Sequence, residues 1–207
     1  MVPELSVEQR ARVEVLRRLS REGGPLAPDA ATATIHNPRW FHARHGTAPN
    51  PTRERADLHD RLLGTFYAQS GRGDPNRYAI MLAGPPGAGK GTIRDHIMRE
   101  AGQHFTVADP DEFKTLLVKD AVEHGWLEEL IPAETRREGI SLAPMELSAL
   151  VHAESSVLAA KVRSAAILGG ENIVVDSVMA HESAALRNAR NLEQHGYVIE
   201  VVSLSLI

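Results

Sequence analysis

The fold of this 207-residue chain is decided by Ala79-Ile80-Met81-Leu82-Ala83-Gly84-Pro85-Pro86-Gly87-Ala88-Gly89-Lys90-Gly91-Thr92. A short apolar run leads into a glycine-rich turn, and a helical pattern opens at Ile93. Glycines in such a turn allow positive-φ conformations and bring backbone N–H groups close to a polyphosphate. The helix that follows points its positive N-terminal end at the same anion. Strand, loop and helix in this order favour a phosphate-binding P-loop over a merely flexible Gly/Pro turn.

Seven residues of this turn are predicted to bind the nucleotide: Gly84, Gly87, Ala88, Gly89, Lys90, Gly91 and Thr92. Lys90 adds a point charge for the β- and γ-phosphates and is a predicted catalytic residue. The common P-loop places Ser or Thr directly after the lysine, where the hydroxyl ligates magnesium, but here Gly91 intervenes. Gly-Lys-Gly-Thr resembles the loop of adenylate kinases and related small-molecule kinases. We therefore predict Mg²⁺ at Thr92, held directly, through waters or with acidic residues.

Composition restricts the classes of function. The chain has no cysteine, which excludes disulfides, thiolate zinc sites and a cysteine nucleophile. No segment reaches the roughly 20 apolar residues of a membrane span, and the start lacks a secretory signal, so we predict a cytoplasmic protein without a membrane partner. The absence of a contiguous basic tract argues against nucleic acid. Four histidines lack zinc-like spacing and are interpreted as loop histidines: His36, His42, His45 and His59.

Strands and helices alternate from Tyr78 onward. Strands are predicted at Tyr78–Ala83, Phe105–Ala108, Asn172–Asp176 and Tyr197–Leu206, and helices at Lys90–Ala101, Asp111–His124, Pro144–Leu168 and His181–His195. Short apolar strands that alternate with helices predict a mostly parallel sheet covered on both faces, the three-layer α/β sandwich of P-loop kinases. Two amphipathic helices precede it, at Val7–Leu19 and Thr52–Ala68. We therefore predict a helical extension at 1–77 and a P-loop kinase domain at 78–207.

Two aspartates, Asp109 and Asp111, follow the second of these strands. Acids at the carboxyl end of a parallel strand face the crevice where α/β folds bind ligands. A kinase needs a carboxylate there to orient the substrate hydroxyl and accept its proton. The alternative is an Asp-Pro turn that caps a helix, which any fold can use. The neighbouring P-loop favours the functional interpretation.

Asp176 ends the third strand after three β-branched residues. In P-loop enzymes this is the position of an aspartate that holds magnesium, often through water. The alternative is an aspartate that caps the next helix. We favour the metal interpretation and predict Asp176 as a second metal residue beside Thr92.

A polar patch opens the long helix predicted at Pro144–Leu168. His152, Ser155 and Ser156 share one helical face, with Glu154 alongside. Such a patch can line a substrate pocket, or it can be a satisfied core histidine with capping serines. The residues by themselves favour the second interpretation.

These motifs together resemble the zeta toxin family over roughly residues 78–207. The matching segments, in order, are Gly84–Thr92, Asp109-x-Asp111-x-Phe113-Lys114, His152-x-Glu154-Ser155-Ser156 and Ile173–Asp176. The resemblance implies a P-loop kinase with Asp111 as catalytic base: either an antitoxin-controlled toxin, with the 3′-hydroxyl of the amino sugar of UDP-N-acetylglucosamine as first-choice acceptor, or a chromosomal kinase of unknown substrate. It also implies ATP or GTP with Mg²⁺ as cofactors, an antitoxin protein as partner, and substrate contacts from Asp109, His152, Glu154 and Ser155.

Two features depart from the family pattern. Gly91 stands in place of the hydroxyl residue, and the arginines that clamp the transferring phosphate in the family have no match before Ile207. We therefore expect the C-terminal lid part to be missing from this chain and its turnover to be low unless a partner or longer form supplies the arginine. The alternatives are a nucleoside-monophosphate or other small-metabolite kinase, and a nucleotide-binding module without turnover.

Overall fold

The computed structural model describes residues 6–42, 49–84, 89–176 and 182–204. Its α-helices are α1 Val7–Ser20, α2 Arg53–Ser70, α3 Lys90–Ala101, α4 Pro110–Glu123, α5 Ala133–Arg137, α6 His152–Gly169 and α7 Glu182–Gln194. Its strands are β1 Phe41–His42, β2 Asn50–Pro51, β3 Tyr78–Ala83, β4 Thr106–Val107, β5 Ile173–Asp176 and β6 Val198–Ser203. Short 3₁₀ helices cover Thr34–His36, Leu127–Leu130 and Pro144–Val151.

The chain folds into two compact units. The first, here called the helical unit, comprises Met1–Asp60 and Pro110–Val157, and the second, the sheet unit, comprises Arg61–Asp109 and Leu158–Ile207. The predicted boundary between an extension at 1–77 and a kinase domain at 78–207 stays a prediction.

The sheet unit contains a four-stranded parallel sheet in the order β4-β5-β3-β6. Residues of β3 alternate between its two faces, as in any strand. Ala79 and Met81 pack in a cluster with residues of α6 and α7, whereas Ile80 and Leu82 pack in another with residues of α3. Helices therefore cover both faces, and the predicted α/β architecture with a parallel sheet is confirmed.

The helical unit has its own core, in which Phe113, Leu117, Leu130, Leu147 and Leu150 are fully buried. Helix α1 begins with a capping box between Ser6 and Gln9, which satisfies backbone N–H groups at its start. Ion pairs tie α1 to later parts of the chain: Arg12 to Glu146 and Arg18 to Glu138.

The predicted strand Tyr78–Ala83 and helix Lys90–Ala101 are confirmed to the residue, and most other predicted elements differ by one to three residues within the described part of the chain. One prediction was wrong. The expected single helix Pro144–Leu168 is a 3₁₀ helix to Val151, followed by α6. Leu147 and Leu150 are both buried and three residues apart, a spacing that suits three residues per turn. The β1–β2 ladder and α5 were not predicted.

Among the helices that the structure describes, none combines the length and the apolar composition needed to cross a membrane.

Candidate active site

The predicted phosphate loop connects β3 to α3 in the sheet unit. Its residues 85–88, which include the predicted Gly87 and Ala88, lie outside the described part of the chain. Gly89 is the N-cap of α3 and has φ +78°, in the left-handed region that glycine adopts without a Cβ penalty. Among the described residues, no side chain caps this helix start. Since the first N–H groups of a helix have no partner within the helix, they are suited to bind an anion.

Lys90 reaches back across the loop. Its Nζ donates a hydrogen bond to the carbonyl oxygen of Gly84 at 3.1 Å, and the residue is 9% exposed. A Cβ built on Gly89 or Gly91 would meet no described atom within 4 Å. The lysine charge and the helix start together suit a polyphosphate.

Two predicted acidic residues follow strands of the same sheet. Asp176 ends β5 and pairs in register with Leu82, next to the point where β3 enters the phosphate loop. Asp109 follows β4, and its N–H donates to the carbonyl of Val107. The strands are parallel, so Asp109, Asp176 and the end of β3 at Gly84 all lie at the carboxyl edge of the sheet. This is the edge at which open α/β sheets bind ligands.

Arg94 connects this edge to α3. Its side chain is 22% exposed, its Nη1 lies 3.8 Å from Oδ2 of Asp109, and its Nε donates to Asp95 at 2.9 Å. The ion pair with Asp109 holds the segment after β4 against the helix that follows the phosphate loop.

The predicted base, Asp111, lies in the helical unit, in the first turn of α4. Its Oδ1 accepts a hydrogen bond from Nζ of Lys114 at 2.7 Å. The pKa of His152 is lowered by burial and by the charge of Lys114, and Asp111 opposes this effect. Asp111 and His152 both belong to the helical unit.

Glu154 lies in a buried cluster of the helical unit. Arg55 donates to both of its carboxylate oxygens, at 2.6 and 2.8 Å, and His59 Nε2 lies 2.7 Å from Oε1. The Glu154 and His59 side chains are 0% exposed and that of Arg55 is 3% exposed. Burial raises the pKa of Glu154, but the hydrogen bonds from His59 and Arg55 and their charges outweigh it and lower the pKa to about 2.

Two tryptophans complete this cluster. The guanidinium carbon of Arg55 lies 4.5 Å from the ring centroid of Trp40 and 4.4 Å from that of Trp126. The interpretation of His59 as a loop histidine was wrong, because it lies within α2 and is buried against Glu154. From the sequence, the four-residue spacing shows only that Arg55 and His59 share a helical face. Their common partner, Glu154, lies about a hundred residues later in the chain, so local pattern does not reveal it.

Ser155 and Ser156 bond locally. Both hydroxyls donate to the carbonyl oxygen of His152, at 2.8 and 3.0 Å. These bonds stay within the first turn of α6, and such back-bonding often bends a helix. His152 itself is exposed, so it is not the core histidine of the alternative interpretation. The assignment of Asp109, His152, Glu154 and Ser155 to substrate stays a prediction.

The metal prediction rests on Thr92 and Asp176. Thr92 is exposed in the first turn of α3. Among the described residues, no group of three or more histidine, cysteine or carboxylate side chains could hold a metal ion. A hydroxyl and a single carboxylate suit Mg²⁺ bound mainly by waters and phosphate oxygens.

The sequence profile described as "Zeta toxin" matches residues 67–206 of this chain. The chain is also similar to solved structures of an AvrRxo1-ORF1:AvrRxo1-ORF2 complex, one with sulphate ions and one native. The TM-score is 0.52 for both, with 19% and 20% identity over 80% of this chain and 53% of theirs.

A structure from the PezAT chromosomal toxin–antitoxin system of Streptococcus pneumoniae gives a TM-score of 0.49 at 16% identity, over 74% of this chain and 57% of that one. This chain thus spans little more than half the length of these solved proteins, and the likeness to the AvrRxo1 complexes concerns the fold alone. No curated protein matches the chain.

Proposed function

Because this chain belongs to the zeta toxin family, whose members have a P-loop kinase-like fold, we propose that it is an ATP- or GTP-dependent kinase for the hydroxyl of a small molecule. UDP-N-acetylglucosamine is the first acceptor to test. The observation that carries the proposal is the phosphate loop: Gly89 is the left-handed N-cap of α3, and Nζ of the next residue, Lys90, donates to the carbonyl of Gly84.

Lys90 and the N–H groups of the first turn of α3 would hold the β- and γ-phosphates. A lysine acts here as a point charge, and the helix start adds oriented dipoles at no cost in side-chain entropy. The Lys90 ammonium, which donates to the Gly84 carbonyl, would exchange protein partners for a phosphate oxygen when the nucleotide binds.

Thr92 and Asp176 would hold Mg²⁺, directly or through water. The register of Asp176 with Leu82 supports this role, because it brings the end of β5 beside the start of the phosphate loop. Bound ATP supplies the phosphoryl group, and Mg²⁺ neutralises the charge that develops on its oxygens.

Asp111 would accept the proton of the attacking hydroxyl. It is 78% exposed, so an acceptor can reach its carboxylate. Asp109 and His152 would contact the acceptor. Glu154 would act on the same region indirectly, since Arg55 and His59 engage both of its oxygens and thereby anchor the first turn of α6.

We further propose an antitoxin protein as partner. This rests on family membership and on the description of one similar structure as part of a toxin–antitoxin system.

The test is ADP formation from ATP and Mg²⁺ with UDP-N-acetylglucosamine, with a panel of nucleoside monophosphates, or without acceptor, with the product identified by mass spectrometry. We expect phosphorylated sugar nucleotide. Asp111→Asn should lower turnover by roughly 10²–10⁴-fold, the usual range for loss of a general base, while ATP binding persists.

The other outcomes separate the alternatives. Phosphorylation of a monophosphate but not of the sugar nucleotide would indicate a small-metabolite kinase, as the Gly91 variant of the loop suggests. ATP binding without turnover on any acceptor would indicate a nucleotide-binding module. Normal turnover by Asp111→Asn would remove Asp111 from the mechanism.

A further inference from the structure

Arg94 is a mostly covered cation in the second turn of α3. Its side chain is 22% exposed, and its Nε donates to Asp95 at 2.9 Å. Its Nη1 lies 3.8 Å from Oδ2 of Asp109, a separation longer than a hydrogen bond. The guanidinium can therefore exchange Asp109 for a closer anion without losing a hydrogen bond between these two atoms.

Arg94 shares one face of α3 with Lys90, because the two residues are four apart. Side chains of a helix lean toward its N-terminus, which here is the end at the phosphate loop. Nζ of Lys90 donates to the carbonyl of Gly84, directly after β3. Arg94 lies near Asp109, after β4. In the sheet order β4-β5-β3, the end of β5 at Asp176 lies between these two points, so the contacts of the two cations flank it.

Two other arginines of the sheet unit contact its opposite, amino edge. Arg77 precedes β3 and donates to the carbonyl of His195, ahead of β6, at 3.0 Å. Arg72 pairs with Glu171, ahead of β5. The six-residue length of β3 separates both from the phosphate loop, whereas Arg94 lies at the edge where that loop begins.

In the proposed kinase, Lys90 holds the phosphates beside β3, and Asp109, a proposed acceptor contact, follows β4. The phosphoryl group that moves to the acceptor then lies along the edge between these strand ends. Arginine suits this position, since its planar fork binds two phosphate oxygens at once. We propose that Arg94 binds the terminal phosphate of the nucleoside triphosphate and neutralises the charge on the transferring phosphoryl group. This inference rests on the proposed function, and it fills a role for which the arginines of the family pattern have no match before Ile207.

In the transfer, the acceptor oxygen forms a bond to the γ-phosphorus, and the bond between that phosphorus and the β–γ bridging oxygen breaks. ADP leaves with the electron pair, and the hydroxyl proton passes to the base proposed above, Asp111. Charge on the transferring group is spread over its three equatorial oxygens, and an arginine that contacts them raises the rate by roughly 10³–10⁵-fold.

Nucleotide binding tests the contact of Arg94 without turnover. Calorimetry in the absence of acceptor compares ATP and ADP, each with Mg²⁺, in the full wild-type chain and in Arg94→Gln, which removes the charge. We expect ATP affinity to fall by roughly 10–100-fold, because a hydrogen bond to a charged group is lost, and ADP affinity to stay within about twofold. Arg99→Gln removes an exposed arginine from the same helix and should bind both nucleotides like the wild type.

Turnover on the acceptor that the wild type uses gives the second measurement. Arg94→Gln should lower kcat by roughly 10³-fold, whereas Arg99→Gln should match the wild type. Arg94→Lys keeps the charge but not the planar fork, so it should bind ATP nearly like the wild type and turn over at least about tenfold more slowly. It also decides the question if Arg94→Gln does not fold. A wild-type kcat in either Arg94 variant would overturn the inference.

An equal loss of ATP and ADP affinity in Arg94→Gln would overturn the inference, because the arginine would then support the loop rather than contact the terminal phosphate. Unchanged ATP affinity would overturn it as well and leave the kinase function standing. If the wild type binds ATP but turns over no acceptor, the proposed kinase function fails, while the comparison of ATP with ADP still decides the contact of Arg94. A wild type that binds neither nucleotide would refute both.

Discussion

Replacement of Glu154 by glutamine should strongly destabilise the protein. The carboxylate lies at 0% exposure between Arg55 and His59, and Arg55 is itself almost fully covered. Glu154→Gln keeps the size of the side chain but leaves the guanidinium buried without a counter-charge. Breaking a buried pair in this way costs about 3–5 kcal/mol in the free energy of unfolding. The lowered pKa of Glu154 has the same cause, since Arg55 and His59 favour its charged form.

Both tryptophans of the chain, Trp40 and Trp126, lie on Arg55, so their fluorescence during urea unfolding reports directly on this cluster. With a slope of about 2 kcal/mol per M, a loss of 3 kcal/mol lowers the urea midpoint by about 1.5 M. The control is Glu128→Gln, which removes an exposed ion pair with Arg136 and should cost no more than about 1 kcal/mol.

The difference between wild type and Glu154→Gln should also depend on pH. The folded protein holds the pKa of Glu154 below its ordinary value, so the carboxylate stabilises the fold fully above pH 4.5 and progressively less as the pH falls toward 2. The gap in unfolding free energy should therefore be constant from pH 7 to about 5 and narrow at lower pH. A gap below about 1 kcal/mol at pH 7, or one that widens in acid, would refute this account of the cluster.

Two further predictions concern the phosphate loop and the packing of the sheet unit. Lys90→Ala should weaken ATP binding by about 1.5–3 kcal/mol, which is the contribution of a charge-assisted hydrogen bond. Calorimetry measures this affinity, with Lys119→Ala as the control. An unchanged ATP affinity in folded Lys90→Ala would refute the P-loop assignment. Gly73→Ala should lower the unfolding free energy by roughly 1–3 kcal/mol, because the new Cβ would lie 2.2 Å from the carbonyl oxygen of Asn172. The control, Gly64→Ala in α2, places a Cβ with no described atom within 4 Å and should raise the unfolding free energy by about 0.5–1 kcal/mol. Equal effects of the two variants in urea unfolding would contradict the packing at Gly73.

The phosphate loop and its flanking elements could be predicted from the sequence because their signals are local. The limits of β3 and α3 follow from an apolar run, a glycine-rich turn and a helical period within about twenty residues. The strand-end positions of Asp109 and Asp176 were predicted for the same reason. Whether these residues act as predicted is left to the experiments above.

The order of the strands and the partners of the buried charges were decided only by the tertiary structure. Nothing in β4, β5 or β3 alone specifies that β5 lies between the other two, because each apolar strand can pair with any other. Likewise Glu154 was singled out as a substrate contact, but its partners Arg55 and His59 lie about a hundred residues earlier. The sequence determined which groups are present and how they are spaced along each element. Folding determined which of them meet, because contacts between distant residues depend on packing of the whole unit rather than on local pattern.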